Sequence, residues 1–306
     1  MNQHKTQDKD IRFAVREQVP HKDRMLLIDG TAFKEGETVK LSLPVPGDSI
    51  FVAPDGVLAP VAMVEMLAQL CGAQHTFDHG LRADELHGYL VGIDNVIFSG
   101  PVHAGDELTF TAWKTFDMQD IKRVRGEVHE KNERIAEIEL TLYESADWIP
   151  KPQLPGRTLE ITGNGPGASA FFSREMDLIG KGIMGSIASM TAMPDGETEA
   201  SLIFPRDFIG FSGHFPGYPV LAAVLAIYSG RLLAEISQQR ELELCSIKRA
   251  KFAAPILPNE KIEVGLKKMD RESGEEDWYS LTMKSLGQLA AKFMIGTKPS
   301  APGGRP

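Results

Sequence analysis

GYLVGIDNVIFSGPVHAGDELTF, residues 88–110, recurs in weakened form as LELCSIKRAKFAAPILPNEKIEV, residues 242–264. The shared positions stand 154 residues apart and include a Phe-x-x-Pro pattern with an acid five residues further on. The matching pairs are Ile93 with Ile247, Phe98 with Phe252, Pro101 with Pro255, Asp106 with Glu260, and Leu108 with Ile262. A repeat of this length predicts a chain built from two copies of one structural unit.

The same order of elements surrounds both copies. A hairpin comes first, TVKLSLPV after KEGE in the first half and IASMTAM with EASLIFP in the second. One long apolar segment follows in each half, beginning at Leu58 and at Val220, and its composition is typical of a buried helix. Strand-like stretches come next, such as ELTFTAWKTF, IKRVRGEVHE and RIAEIELTLY. One buried helix against a mostly antiparallel sheet is an α+β plan, and two copies predict a fused pseudo-dimer.

The junction between the copies is the stretch WIPKPQLPGRTLEITGNGPG, residues 148–167, which is dense in Pro and Gly. That composition is typical of a linker or a long crossing connection. We therefore predict an N-terminal domain over residues 1–147, a linker over 148–170 and a C-terminal domain over 171–306.

The bulk composition limits the function classes. The 306 residues are 42% hydrophobic and carry a net charge of −9, which argues against nucleic acid as the main partner. No apolar run reaches the length of about 18 residues that a membrane span needs, and the N-terminus lacks the apolar core of a signal peptide. Two cysteines, Cys71 and Cys245, cannot form a disulfide framework. We expect a cytoplasmic protein with reduced thiols.

Four motifs carry a family resemblance. They are the turn GHFPGYP (residues 213–219), the helix segment VEMLAQ (64–69), PHKDRMLLID (20–29), and GID followed by Phe98 and Pro101-Val102 (92–102). In this combination they resemble the hot-dog fold 3-hydroxyacyl-(acyl carrier protein) dehydratases. The resemblance covers most of both halves and implies a double hot-dog, in which each repeat wraps a mostly antiparallel sheet around a long central helix.

The departures from the family pattern are complementary. In single-domain relatives the catalytic His and Glu lie fourteen positions apart, and each dimer site takes one residue from each subunit. Fourteen positions after His214 stands Tyr228, and fourteen before Glu65 stands Phe51. The second half has therefore kept only the His and the first half only the Glu. The resemblance implies one composite site, with His214 as base and Glu65 as acid, and a degenerate twin formed by Phe51 and Tyr228.

This pair suits dehydration of a 3-hydroxyacyl thioester. Imidazole can take the C2 proton near neutral pH, and a carboxyl group can protonate the departing C3 hydroxyl. Backbone amides at a helix start would polarise the thioester carbonyl. The family has Pro-Gly at the helix start, but five residues before Glu65 this chain has Pro60, which has no N–H. The predicted donors are therefore Val61 and Ala62, and Phe215, Gly217 and Pro219 are expected to shape the substrate loop.

The resemblance implies that the acyl group arrives on phosphopantetheine, on acyl carrier protein or coenzyme A, with no metal or redox cofactor. The basic cluster Lys248, Arg249 and Lys251 interrupts an acidic chain and is the predicted carrier-protein contact, the alternative being a solvated strand face. Further assembly of the pseudo-dimers is left open.

Two other functions stay open. A hot-dog thioesterase would use the carboxylate to activate water, and a degenerate acyl-binding or partner subunit would need no chemistry at all. Among the remaining candidates, His21 is expected to be structural or to lie near the tunnel mouth. His75 and His79, at i, i+4 spacing, are expected to support a helix C-terminus rather than a metal. Gly163, Gly165 and Ala168 formally fit a dinucleotide motif, but no apolar helix follows them.

Overall fold

Alternation of buried and exposed residues along the strands indicates a sheet with one covered face, as in Thr38–Pro44 and Lys261–Lys268. The computed structural model describes residues 11–84, 87–145, 172, 174–193, 196–269 and 275–300. The strands in these residues are β1 (Ile11–Ala14), β2 (Thr31–Glu35), β3 (Thr38–Pro44), β4 (His87–Phe98), β5 (Glu107–Met118), β6 (Ile121–Glu130), β7 (Glu133–Ser145), β8 (Ile187–Ala192), β9 (Glu197–Ile203), β10 (Leu242–Phe252), β11 (Lys261–Lys268), β12 (Asp277–Ser285) and β13 (Gln288–Pro299). The helices are α1 (Val61–His79), α2 (Leu178–Ser186) and α3 (Ala223–Gln238).

The described strands form one antiparallel sheet in the order β1-β2-β3-β5-β6-β7-β4-β10-β13-β12-β11-β9-β8. Its midpoint is the pairing of β4 with β10, where Val96 lies opposite Ile247. These are the two strands that carry the sequence repeat. The two halves are thus joined through the hydrogen bonds of their equivalent strands, as a fused pseudo-dimer requires.

Each half covers its side of the sheet with one long helix. α1 packs on β3, β5, β6 and β7, while α3 packs on β10, β11 and β13, and the two helices contact each other. Both helices are buried over most of their length, which explains why their sequences are apolar on nearly every side. The arrangement confirms the predicted α+β double hot-dog.

Two elements were not predicted, the edge strand β1 and the short helix α2. Asp177 caps α2 by accepting the backbone N–H of Gly180 at 2.6 Å. The predicted linker 148–170 and the glycines of the rejected dinucleotide motif lie outside the described residues. The domain boundaries therefore stay predictions. Among the described helices none has both the length and the apolar character needed to cross a membrane.

Candidate active site

His214 lies in a turn that the first half of the chain holds in place. Its side chain is buried, and ring Nδ1 lies 3.0 Å from the carbonyl oxygen of Val220. Because a carbonyl can only accept, Nδ1 carries the proton and Nε2 keeps the lone pair that a base needs. Lys22 N–H donates to the Gly213 carbonyl at 3.1 Å. Gly213 has a φ of 88°, and a Cβ there would lie 1.8 Å from the Lys22 carbonyl oxygen. The turn and the first-half segment are thus locked backbone to backbone.

Glu65 lies in the second turn of α1 and is 5% exposed. Gln69, one helical turn further on, donates from Nε2 to Oε1 of Glu65 at 3.0 Å and to the Met25 carbonyl at 2.8 Å. The side-chain oxygen of Gln69 accepts the N–H of Leu27 at 3.1 Å. This bridge fixes Oε1 of Glu65 and ties the carboxyl group to the backbone of the segment before β2.

The fold brings Glu65 and His214 together with a third ionisable residue, His21. One ligating atom from each of the three side chains lies within 4.8 Å of the other two. Nε2 of His21 is 3.5 Å from Oε1 of Glu65, and its ring centroid is 5.2 Å from that of His214. Burial, followed by His214 and then Lys22, lowers the pKa of His21 well below its ordinary range. Sequence reasoning gave His21 no part in the chemistry, yet it lies beside both predicted catalytic groups.

The three side chains line a cavity of about 190 Å³ together with other polar residues such as Gln69 and Glu144. Most of its remaining wall is apolar and comes from both halves, including Ala68, Leu90, Leu142, Leu221, Ala226 and Phe252. Such a lining suits an alkyl chain, with the reacting carbons held against the polar cluster. Two imidazoles and a carboxylate are also a donor set that suits Zn²⁺. The prediction that the chemistry needs no metal stays a prediction.

The structure shows where the predicted carbonyl-polarising amides lie relative to this cavity. Val61 and Ala62 do not line this cavity, and the N–H of Ala62 donates to a carbonyl of the preceding turn at 2.9 Å. Pro60 lines a second cavity instead. The helix start at the composite site belongs to α3, whose first residue Ala223 lines the cavity. The prediction located the helix start by counting back from Glu65, which leads to Pro60 at the start of α1. Counting nine residues forward from His214 leads instead to Ala223 at the start of α3.

The predicted loop residues take different positions. Phe215 lines the cavity, with its ring centroid 5.3 Å from that of His21 and 5.7 Å from that of Tyr89. Burial raises the pKa of Tyr89 to about 12, so its hydroxyl stays protonated. Gly217 is exposed with a φ of 80°, and Pro219 begins the short irregular segment that precedes α3. Substrate contacts by these loop residues stay a prediction.

At the predicted twin position, Phe51 and Tyr228 stand where the composite site has a histidine and a glutamate. Phe51 is fully buried, and the hydroxyl of Tyr228 donates to Oδ2 of Asp177 at 2.5 Å. The Arg231 guanidinium lies 4.7 Å from the Tyr228 ring centroid, and burial raises the pKa of Tyr228. Tyr228, Asp177 and Pro60 line a separate cavity of about 700 Å³. This cavity is lined by both halves, and its described lining residues include carboxylates but no histidine.

The remaining histidine pair lies at the end of α1. Nδ1 of His75 is 2.7 Å from Oε2 of Glu144, and Nδ1 of His79 is 2.9 Å from the His75 carbonyl oxygen. His79 thus hydrogen-bonds a carbonyl of the last helical turn, the role predicted for it. In the described residues the three-ligand cluster lies at the composite site and does not include this pair.

The predicted docking cluster is exposed on β10. Lys248, Arg249 and Lys251 all reach solvent, and Nζ of Lys248 lies 4.6 Å from the Trp278 ring centroid. Lys251 directly precedes Phe252, which lines the cavity. The basic cluster therefore lies next to the cavity along β10, since Lys251 is adjacent in sequence to a residue of the cavity wall.

Two family models match the chain, one in each half. The model described as ApeP dehydratase matches residues 13–150, and the model described as ApeI dehydratase matches residues 191–291. The 3-hydroxyacyl-[acyl-carrier-protein] dehydratase FabZ of Actinobacillus pleuropneumoniae serotype 5b (strain L20) is 31% identical over 132 residues, which cover 41% of this chain and 85% of that protein. The FabZ of Haemophilus influenzae (strain ATCC 51907 / DSM 11121 / KW20 / Rd) is 34% identical over 113 residues, 35% of this chain and 72% of that protein.

Solved structures with a similar fold include both dehydratases and thioesterases. The dehydratase domain of the polyketide PpsC from Mycobacterium tuberculosis aligns with a TM-score of 0.58 at 10% identity, covering 92% of this chain and 100% of that domain. The 12:0-ACP thioesterase from Umbellularia californica aligns with a TM-score of 0.52 at 8% identity, covering 87% and 95%. At these identities the likeness extends to the fold alone, so the reaction has to be argued from the side chains.

Proposed function

Because the chain belongs to the hot-dog family of 3-hydroxyacyl-[acyl-carrier-protein] dehydratases, we propose that it converts a 3-hydroxyacyl thioester to the 2-enoyl thioester and water. The reaction is reversible and uses one composite site. The observation that carries the proposal is the approach of His214, from the second half, to Glu65, from the first, within one buried cavity.

The chemistry assigns one proton transfer to each residue. Nε2 of His214 takes the C2 proton, and the electrons of that C–H bond form the C2=C3 double bond. The C3–O bond breaks as Glu65 gives a proton to the hydroxyl, which leaves as water. His214 ends the step protonated and Glu65 ends it ionised, so a proton must return to Glu65 before the next turnover.

The start of α3 supplies the third requirement of this reaction. A C2 proton becomes acidic enough only when the thioester carbonyl is polarised by a positioned donor. The first amides of a helix lack an intrahelical acceptor and lie at the positive end of its dipole. Ala223 is the first residue of α3 and lines the cavity, so its N–H is the proposed donor. Ala223 has an amide hydrogen, whereas Pro60 has none. The lack of an N–H at Pro60 therefore does not affect the proposed donor.

We also propose that the substrate arrives on acyl carrier protein. The exposed cations Lys248, Arg249 and Lys251 adjoin the cavity wall on β10, and an acidic carrier would be attracted to them. The acyl thioester on its phosphopantetheine arm would then enter beside Phe252. Cys71 and Cys245 are free thiols, which fits a reducing compartment and supports the expected cytoplasmic location.

The test follows a 2-enoyl thioester by its enoyl absorbance while free thiol is measured in parallel. Loss of the enoyl signal without thiol release is expected, because hydration leaves the thioester intact. Thiol release would instead indicate a thioesterase, and no change would indicate a binding subunit. His214→Ala and Glu65→Gln should each abolish the reaction, because each removes one proton-transfer group.

The matched control is Tyr228→Phe, which changes the position in α3 that corresponds to Glu65 in α1. It removes only the hydroxyl bonded to Asp177 and should leave the rate close to that of the unmodified protein. Full activity in Glu65→Gln would overturn the composite site.

A further inference from the structure

The cavity contains an ionisable side chain, His21, that the reaction described above does not use. The residue is 8% exposed, and neither ring nitrogen has a hydrogen-bond partner among the described residues. A buried polar group without a partner destabilises the native state and is uncommon in folded proteins. An apolar residue would fill this space at a lower energetic cost than His21. A role of His21 in the site therefore explains its presence better than packing does.

The backbone that carries this side chain is anchored on the site itself. Lys22 N–H donates to the Gly213 carbonyl at 3.1 Å, beside the catalytic turn. Gln69 of α1 bonds to the Met25 carbonyl at 2.8 Å and, through its side-chain oxygen, to the Leu27 N–H at 3.1 Å. The segment therefore cannot move away from either catalytic residue without breaking these bonds.

The second half contains an internal comparison for the same position. His21 lies ten residues before β2, and Asp177 lies ten residues before the equivalent strand β8. Asp177 accepts a hydrogen bond from Tyr228, the residue that stands where α1 has Glu65. In the twin site, Asp177, which stands at the position of His21, is thus hydrogen-bonded directly to Tyr228 of α3. At the composite site the corresponding residues are His21 and Glu65. Their Nε2 and Oε1 atoms are 3.5 Å apart, and both residues line the substrate cavity.

We propose that His21 is a positioning residue for Glu65, donating from Nε2–H to Oε1 when substrate occupies the cavity. The inference rests on the proposed dehydratase function. Oε1 would then accept from both Gln69 and His21, which leaves Oε2 to carry the proton for the C3 hydroxyl. A shortening of a few tenths of an ångström from 3.5 Å brings the pair to normal hydrogen-bond length. The bond strengthens as Glu65 ionises, so it favours the transition state over the bound substrate.

The charges around His21 suit this role. The ionisable groups that face it are Glu65 of α1, His214 of the turn and Lys22 of its own segment. Burial is the main cause that lowers its pKa, with His214 and Lys22 adding to the effect. A neutral imidazole keeps one N–H to donate and places no second positive charge beside His214 when that ring takes the C2 proton.

The test compares three variants, His21→Gln, His21→Asn and His21→Ala, with a 3-hydroxyacyl thioester as substrate. The amide nitrogen of glutamine reaches the place of Nε2, whereas that of asparagine reaches only the place of Nδ1. We expect His21→Asn and His21→Ala to lower kcat by about 10- to 100-fold, the effect of one charge-assisted hydrogen bond. KM should stay within about 2-fold, since the bond matters mainly in the transition state. His21→Gln should keep kcat within about 5-fold.

Thermal unfolding of the same variants separates positioning from structure. Glutamine and asparagine remove the same buried ring, so their melting temperatures should be similar while their kcat values differ. Equal losses of kcat in all three variants would assign His21 a structural role only, and unchanged kcat in His21→Ala would remove it from the reaction. Either result overturns the proposal.

A second background tests whether His21 acts through Glu65. In Glu65→Asp the carboxyl group is withdrawn from His21 but can still give a proton, so the loss caused by His21→Asn should shrink. Equal losses in both backgrounds would contradict the proposed contact. An unmodified protein that neither hydrates nor dehydrates would instead refute the dehydratase function, and the wild-type assay separates that failure from the failure of His21.

Discussion

At the scale of single residues, His21, Glu65 and His214 line one cavity and are screened from bulk solvent. Each is less than a tenth exposed. Charged forms are disfavoured there unless a partner compensates, and this is the setting in which small geometric changes alter proton transfer. The protonation of His21 therefore links the site to the stability of the whole fold.

We predict that acid destabilises this protein partly through His21. In the unfolded chain His21 titrates at its ordinary value of 6.5, whereas in the native state its pKa lies well below that. Below pH 6.5 the unfolded state binds a proton that the native state does not, so stability is full above this pH and falls as the pH decreases. The loss is at most about 1.4 kcal/mol per pH unit for one group. Denaturant unfolding at several pH values between 5 and 8 measures it.

The control for this prediction is His21→Gln, which removes the titrating ring and keeps the other seven histidines of the chain. Its free energy of unfolding should fall less steeply between pH 6.5 and 5 than that of the unmodified protein. An identical slope in the two proteins would mean that His21 is not held neutral by the fold.

The proximity of His214 and Glu65 could be predicted from the sequence because each lies in a motif with fixed spacing. The contacts of His21 could not, since they are made with side chains 44 and 193 positions away. One signal was present: His21 and Asp177 precede the equivalent strands β2 and β8 by the same number of residues. Counting back from Glu65 could not locate the helix start that lines the cavity, because Glu65 and that helix start belong to different helices. Only the packing of α1 beside α3 shows which helix start faces which cavity.

At the scale of elements, the turn before α3 and the segment before β2 act as one unit. The backbone bond between Lys22 and Gly213 joins the two halves at the site. It holds His214 next to the segment that carries His21. Glycine is required at position 213 for two reasons. Its φ of 88° is disfavoured for residues with a side chain. In addition, the Lys22 carbonyl leaves no room for a Cβ atom.

We predict that Gly213→Ala destabilises the protein by about 2 kcal/mol or more, because backbone strain and a backbone clash add. The matched control is Gly217→Ala in the same turn. Gly217 has a similar φ of 80° but open space where a Cβ would lie. This control should cost about 1–2 kcal/mol from strain alone. Denaturant midpoints measure both, and equal losses would show that contact with Lys22 is not what constrains the turn.

Most of the elements were predictable from periodicity, but α2 was not. Its nine residues contain three glycines, at 180, 182 and 185, which give a low intrinsic helix propensity. Asp177 at the N-cap was the available signal. The helix forms because tertiary packing buries Ile179 and Ile183 completely, and packing of this kind overrides propensity.

At the scale of the whole molecule, the two halves have become unequal while keeping a common plan. Their sheets are continuous through β4 and β10, and their long helices contact each other, so the proposed composite site draws on both halves. The twin cavity has a tyrosine–aspartate hydrogen bond where the composite site has an acid and a base. Fusion into one chain permits the two cavities to differ in this way. In a homodimer both subunits have the same sequence, so every substitution would appear at both sites.

The asymmetry extends to surface charge, and it yields a prediction about carrier recognition. The chain carries a net charge of −9, so an acidic carrier protein is repelled by the molecule as a whole and needs a local attraction. Replacing Lys248, Arg249 and Lys251 by glutamine should raise KM for an acyl carrier protein substrate about 10-fold at low salt. This corresponds to about 0.5 kcal/mol for each exposed charge. The effect should shrink as added salt screens the charges.

Two comparisons test that attraction against a general loss of positive charge. An acyl-pantetheine substrate has no acidic carrier and should be turned over by the triple variant at an unchanged rate. Replacing three other exposed lysines, Lys261, Lys267 and Lys284 on β11 and β12, removes the same charge away from the cavity and should leave KM for the carrier substrate nearly unchanged. If both triple variants weaken carrier turnover equally, net charge alone controls the encounter. Recognition would then have to be sought elsewhere around the cavity mouth, because β10 would contribute no more than any other basic strand.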